Sequence, residues 1–178
     1  MASKSERQNR LVDDPRLAPP ERLRSALTEA EGIARQGTRW NEHQTIELVL
    51  KVWARVIDDI GSYRSYGADD YMHDISFRIR LDRFIRVLDQ LGYQEALRWL
   101  TEEVNRLDQV FVERSVEDVD KLMLRGDRSN PNNWYLRRLP NDQNVVDHLR
   151  MIQPKKTAIE DAQGSVTQPD TGDEPRSQ

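Results

Sequence analysis

The chain has 178 residues, a net charge of −4, no cysteine, and 37% hydrophobic against 33% charged residues. That is the length of one domain; the absence of thiols excludes a disulfide framework and thiolate zinc ligation, and the near-balanced charge gives no whole-molecule attraction for nucleic acid. The opening MASKSERQNR has no apolar stretch of the secretory kind, and no run of about eighteen apolar residues occurs, so a soluble, cytoplasmic protein without a membrane span is expected.

Apolar residues thin out at both ends. Residues 1–18 read as a flexible N-terminal tail and 153–178 as a disordered C-terminal one. The latter holds only Ala158, Ile159, Ala162 and Val166 among polar residues and prolines, too little to offset the entropy of ordering. Between them, residues 19–152 are expected to form an all-α fold, a helical bundle of four to six helices.

Taken in order, Pro19 and Pro20 open a first helix whose apolar line runs through Leu23, Ala26, Leu27, Ala30 and Ile33 as far as Gly37. Asn41, with Gln44 three residues on and Trp40 before it, has the pattern of a capping box with a hydrophobic staple. It introduces Thr45–Ile60, the most apolar stretch of the chain. Ile46, Val49, Leu50, Trp53, Val56, Ile57 and Ile60 keep helical spacing there, and Leu48 and Val52 widen the stripe until a narrow strip through Glu47, Lys51 and Arg55 stays polar. Such a helix needs others around it. Residues 61–67, GSYRSYG, read as a loop.

The next segment carries two patterns. Ile75, Phe77, Ile79 and Leu81 alternate as in a strand, while Phe77, Leu81, Phe84, Leu88 and Leu91 recur at helical spacing. No partner strand is evident, so a helix from about Asp70 to Gln90 is expected, ended by Gly92. Tyr93, Leu97, Leu100, Val104, Leu107 and Phe111 then hold a 4-3-4-3 spacing, the pattern of a helix seam suited to self-association. Ser115 and Asp118 suggest a short helix through Val116, Val119, Leu122 and Met123 that stops at Gly126. Residues 127–133 form a turn cluster, and Asn141 can cap a last helix through Val145, Val146, Leu149 and Ile152.

Four groups of residues invite a chemical reading. His43, the pair His73–Asp74 and the later Asp147 resemble the H…HD…D pattern of the HD-domain metal phosphohydrolases. The resemblance covers four residues and implies a divalent-metal site in a helical fold. Asp70 and His73 are three apart, the relation found in di-iron carboxylate bundles, although only one copy of the motif is present. The second group is basic: Arg78, Arg80, Arg83 and Arg86, with Arg64, Arg137 and Arg138, could contact phosphates, although Arg78, Asp82 and Arg86 also fit a salt-bridged exposed helix face. The third is the segment Trp134-Tyr135-Leu136-Arg137-Arg138-Leu139, which packs residue types common at binding hot spots into a short piece. It is read either as a contact for a partner through Trp134, Tyr135, Arg137 and Arg138, or as a strap that inserts Trp134 and Leu136 into the core. The fourth is the helix seam from Tyr93 to Phe111.

No phosphate-binding loop, dinucleotide fingerprint or nucleophile elbow occurs. The sequence therefore leads to a non-enzymatic interaction module without a cofactor: a small subunit, adaptor or assembly factor whose partner is another protein or a second copy. A metal-dependent enzyme using His43, Asp70, His73 and Asp74 is the alternative. Nucleic-acid binding through the arginines is a further one.

Overall fold

A computed structural model describes residues 10–38, 44–60, 68–118 and 131–152. The elements are α1 (Arg24–Arg35), α2 (Ile46–Asp59), α3 (Ala68–Gln90), α4 (Gln94–Arg114), β1 (Ser115–Glu117), β2 (Arg138–Pro140) and α5 (Gln143–Ile152). The fold is all-α, and among the described residues its two strands form one small antiparallel ladder.

Helix α2 contributes Ile46, Val49, Leu50, Trp53, Ala54, Val56 and Ile57 to the core. Its polar strip is as the sequence suggests, with Lys51 donating to Glu47 at 2.6 Å. Leu48, however, is 42% exposed and lies beside that strip, so the apolar stripe is narrower than nine residues would make it. The start of α2 is capped by Thr45, whose hydroxyl accepts from the Leu48 amide at 3.2 Å. The capping box expected at Asn41 lies outside the described residues. A second acceptor comes from α1: the Glu31 carboxylate takes the Ile46 amide at 2.8 Å. Two of the free N–H groups at this helix start are thus satisfied.

Although α2 is the most apolar element, α3 has the wider set of neighbours: it packs on α1, α2 and α4, and also meets α5 and residues 131–137. Its inward line runs Tyr71, Ile75, Arg78, Leu81, Phe84 and Leu88, all buried. An arginine in the third place explains why the sequence of this segment has two periods. With Arg78 counted as a surface residue, Ile75, Phe77, Ile79 and Leu81 look alternating; with Arg78 inward, the spacing is helical throughout. The helix ends in a Schellman turn. Gly92 has φ +73°, Tyr93 N–H reaches back to Leu88 O at 3.1 Å and Gly92 N–H to Asp89 O at 3.0 Å. Left-handed backbone at this position favours glycine.

Two expectations are corrected. The ordered fold begins before residue 19. Residues Leu11–Asp13 and Pro15–Leu17 form two short 3-10 turns against α2, and Leu17 is fully buried. The Val12 amide donates to Asp58 at 3.1 Å, Arg10 bonds Asp59 at 3.0 Å, and Asp14 lies 3.2 Å from Arg106 of α4. Leu17 supplies a core side chain and Asp58 an acceptor, which together offset the ordering of a short polar stretch. The remaining tail residues 1–9 and 153–178 lie outside the described residues.

The second correction concerns Ser115. It starts a strand, where a short helix was expected. Its backbone is extended at φ −125°, ψ 161°, and Ser115–Glu117 pair antiparallel with Arg138–Pro140, Val116 facing Leu139. Strands of three residues are marginal alone. Here Arg138 clamps them, donating to the Ser115 hydroxyl at 2.6 Å, Ser115 O at 2.7 Å and Val112 O at 2.9 Å. The rest of the expected short helix, Val119, Leu122 and Met123, lies outside the described residues.

Candidate functional site

A polar cluster sits inside the bundle where three helices meet. Arg78 of α3 and Asp108 of α4 are 6% and 7% exposed, and the Arg78 Nε–H is shared between both carboxylate oxygens at 2.9 Å, with Nη2 at 2.8 Å from Oδ2. Trp53 of α2 donates its indole N–H to Asp108 at 3.1 Å. Arg78 also bonds Asp82 one turn on, and Asp82 accepts the Tyr135 hydroxyl at 3.1 Å. The guanidinium carbon stands 5.3 Å from the Tyr135 ring centroid.

Burial works against the charge on Arg78, but the carboxylates of Asp108 and Asp82 outweigh it and raise its pKa. Burial pushes the Asp108 carboxyl up from its ordinary range, against the pull of Arg78 and the Trp53 N–H. Desolvation likewise raises the Tyr135 phenol, and the neighbouring Asp82 carboxylate raises it further. Tyr135 therefore acts here as a neutral donor. Every side chain of this node has a partner within it, which makes it a structural tie between α2, α3, α4 and residues 131–137.

The segment 131–140 is laid across that tie. Pro131–Arg137 form 3-10 turns that lead into β2. Tyr135 and Leu136 are buried; Trp134 is half-buried, edge-on to Phe111 with ring centroids 6.0 Å apart. The Tyr71 hydroxyl, whose own ionisation burial disfavours, donates to Arg138 O at 3.0 Å. Of the four residues read as partner contacts, Tyr135 is enclosed and Arg138 is engaged in clamping β1. Trp134 and Arg137 keep partial exposure.

Among the described residues, the members of the other candidate groups lie apart or are engaged elsewhere. Leu100, Val104, Leu107 and Phe111 of the expected seam are buried in the chain's own core, leaving Tyr93 and Leu97 half-buried. The seam faces α2 and α3 because α4 has to cover their apolar sides. Tyr93 donates to Glu29 of α1 at 2.5 Å, and this hydrogen bond raises its pKa. His73 is exposed, edge-on to Phe77 at 5.8 Å; Asp74 is half-buried. His43 and the side chain of Asp70 lie outside the described residues. Asp147 is exposed and bonds Gln143 at 2.8 Å and Arg150 at 3.4 Å. Among the described residues no three His, Cys, Asp or Glu side chains converge as metal ligands.

The arginine face is broken by Arg78, which was expected on the surface and lies in the core. Arg80 covers the Phe77 ring at 4.2 Å, Arg83 donates to Gln36 O at 2.9 Å, and Arg86 is exposed. Arg64 lies outside the described residues.

A concave feature lies beside the ladder, larger than a second hollow of about 140 Å³ between α1 and the start of α2. A cleft of about 280 Å³ runs between the β1–β2 ladder and α5, lined by Val116, Glu117, Asp118, Leu139, Pro140, Asn141, Asp142, Gln143, Val146 and Arg150. Leu139 and Pro140 are buried at its floor; Val116 is 37% exposed and Val146 half-buried along its sides. Little in the sequence signals it, because the spacing of apolar residues assigns Val116 and Val146 to separate helices. A signal for the buried node was present: Asp108 lies between Val104 and Phe111 on the inward face of α4.

The fold and these two features define a class, an all-α bundle tied by an internal ion-pair node and closed by a strap that ends in a two-stranded ladder. No family model, curated protein or solved structure matches this chain.

Proposed function

We propose that this protein is a non-enzymatic helical interaction module, a small subunit or adaptor that docks another protein through the cleft between the ladder and α5. The observation that carries the reading is the contrast between that cleft and the buried node. Val116 and, in part, Val146 keep apolar surface accessible beside the buried Leu139 and Pro140, whereas the buried ionisable side chains Arg78 and Asp108 are committed to each other. Apolar side chains in a concavity are where association gains most from excluding water.

The test is affinity capture from the native source with the wild-type chain and with Val116→Asp/Val146→Asp, alongside native mass and helicity. The wild type is expected to retain a second protein in stoichiometric amount, and the double variant to lose it while keeping its helicity. Equal capture by both, or a wild-type chain recovered alone, overturns the reading.

A further inference from the structure

We infer that residues 10–18 are a charge-latched arm, a lid on α2 and α4 that lifts from the bundle as a unit of its own while the helices stay folded. The inference is independent of the docking reading above. Its first ground is where the backbone bonds go. Asp13 N–H donates to Arg10 O, Asp14 N–H to Leu11 O, Leu17 N–H to Asp14 O and Ala18 N–H to Pro15 O, at 3.1–3.2 Å. Among the described residues no backbone bond joins this stretch to a helix. Its junction with α1 is extended, at φ −81°, ψ 125° for Ala18 and φ −55°, ψ 140° for Pro20. Pro19 and Pro20 keep the turns before them from running on into the helix beyond. The arm therefore moves without breaking a helix bond.

The second ground is what holds the arm down. The Asp58 carboxylate of α2, itself buried, accepts the Val12 N–H at 3.1 Å and lies 3.8 Å from Arg10, with Arg114 of α4 at 3.4 Å on its other oxygen. Asp59 bonds Arg10 at 3.0 Å, and Arg106 of α4 meets Asp14 at 3.2 Å. Asp14 is also held by Arg16 of the arm, and Arg106 by Glu103 of its own helix. Basic Arg10 thus lies over two aspartates and acidic Asp14 beside an arginine, so charge sets where the arm rests. Against these ties stands one fully buried side chain, Leu17, with Leu11 and Val12 half-buried. Arg10 and Asp59 are 42% and 49% exposed, which leaves their pair open to screening by salt. A stretch with few buried side chains and charged ties opens before the core does. Lifting it uncovers Leu17 and the place that Leu17 fills, apolar surface that the closed arm keeps from water.

Hydrogen exchange of the full chain, read by mass spectrometry, tests this. Amides of residues 11–18 should exchange faster than those of α2 yet more slowly than unstructured chain. Arg10→Glu sets a negative charge against Asp58 and Asp59. That variant, and separately about 1 M salt, should each speed exchange in the arm at least about fivefold while α2 and α4 keep their rates. An arm and helices that exchange or accelerate together, or a wild-type arm without protection, overturns the inference. So does an arm that is freed by Leu17→Ala but indifferent to Arg10→Glu and to salt, since apolar anchoring alone then holds it.

Discussion

Two regions of this molecule reverse the ordinary sorting of side chains. The node at Arg78 and Asp108 puts charge inside the bundle, and the cleft at Val116 and Val146 leaves apolar surface outside it. The difference lies in what each group touches. The buried charges have paid their desolvation with two N–H bonds from Arg78, one from Trp53 and the second carboxylate of Asp82, so nothing is left over for a ligand. Val116, 37% exposed, and the half-buried Val146 are not enclosed in that way. Perturbed ionisation marks structure here, and unremarkable aliphatic residues mark the surface proposed to dock a partner.

The sharpest way to break that comparison is Asp108→Ala. It strips Arg78 and the Trp53 N–H of a shared acceptor while both stay buried, and it should cost about 3–5 kcal/mol in urea unfolding. Replacing both partners, Arg78→Met with Asp108→Leu, should cost far less than the sum of the single changes, because no uncompensated charge remains. A loss below about 1 kcal/mol for Asp108→Ala would mean that water reaches the node, as it does for exposed pairs.

Tyr135→Phe asks how strongly the node holds the strap. The ring stays beside Arg78 while the hydroxyl's bond to Asp82 and its longer contact with Asn133 Oδ1 at 3.3 Å are deleted, so a loss of about 1.5–3 kcal/mol is expected, the range for hydrogen bonds to charged groups. Amide exchange in β2 should accelerate more than in α2, since the strap depends on that bond and the central helix does not. Uniform acceleration would show that strap and bundle open together.

These residues also show what was legible in the sequence. The helices announced themselves because α1, α2 and α4 bury apolar side chains at helical spacing, and Gly92 marks a stop that only a left-handed residue makes so readily. Leu17 was hidden by its polar neighbours; a single anchoring side chain leaves no periodicity. Arg78 was hidden by its type, since arginine is assigned to the surface until its counter-charge is found, and Asp108 lies 30 residues away on another helix. The ladder could not be read at all: its two halves, Ser115–Glu117 and Arg138–Pro140, are far apart in sequence and too short to alternate visibly. The cleft exists only because those halves meet beside α5.

On the other side of the comparison, Val116→Asp should change stability by no more than about 1 kcal/mol, the span of side-chain preferences in a strand, since Val116 is 37% exposed. Thermal unfolding checks this. A larger loss would make Val116 part of the core and remove the apolar wall from the proposed site.

Glu31 is the intermediate case, a buried carboxylate whose near partner is the Ile46 N–H, and it gives the smallest effect. Burial raises its pKa, with the Ile46 amide and Arg35 pulling the other way. The folded chain therefore holds this proton more tightly than the unfolded one. Its contribution to stability is complete below the ordinary glutamate pKa and is lost as pH rises through the raised folded value. Glu31→Gln keeps an oxygen for Ile46 but cannot ionise, so its melting temperature should gain on the wild type as pH climbs from acid to neutral. A wild type that gains on the variant over the same range would mean that the carboxylate is held charged by the start of α2, and that a helix end can do for Glu31 what Arg78 does for Asp108.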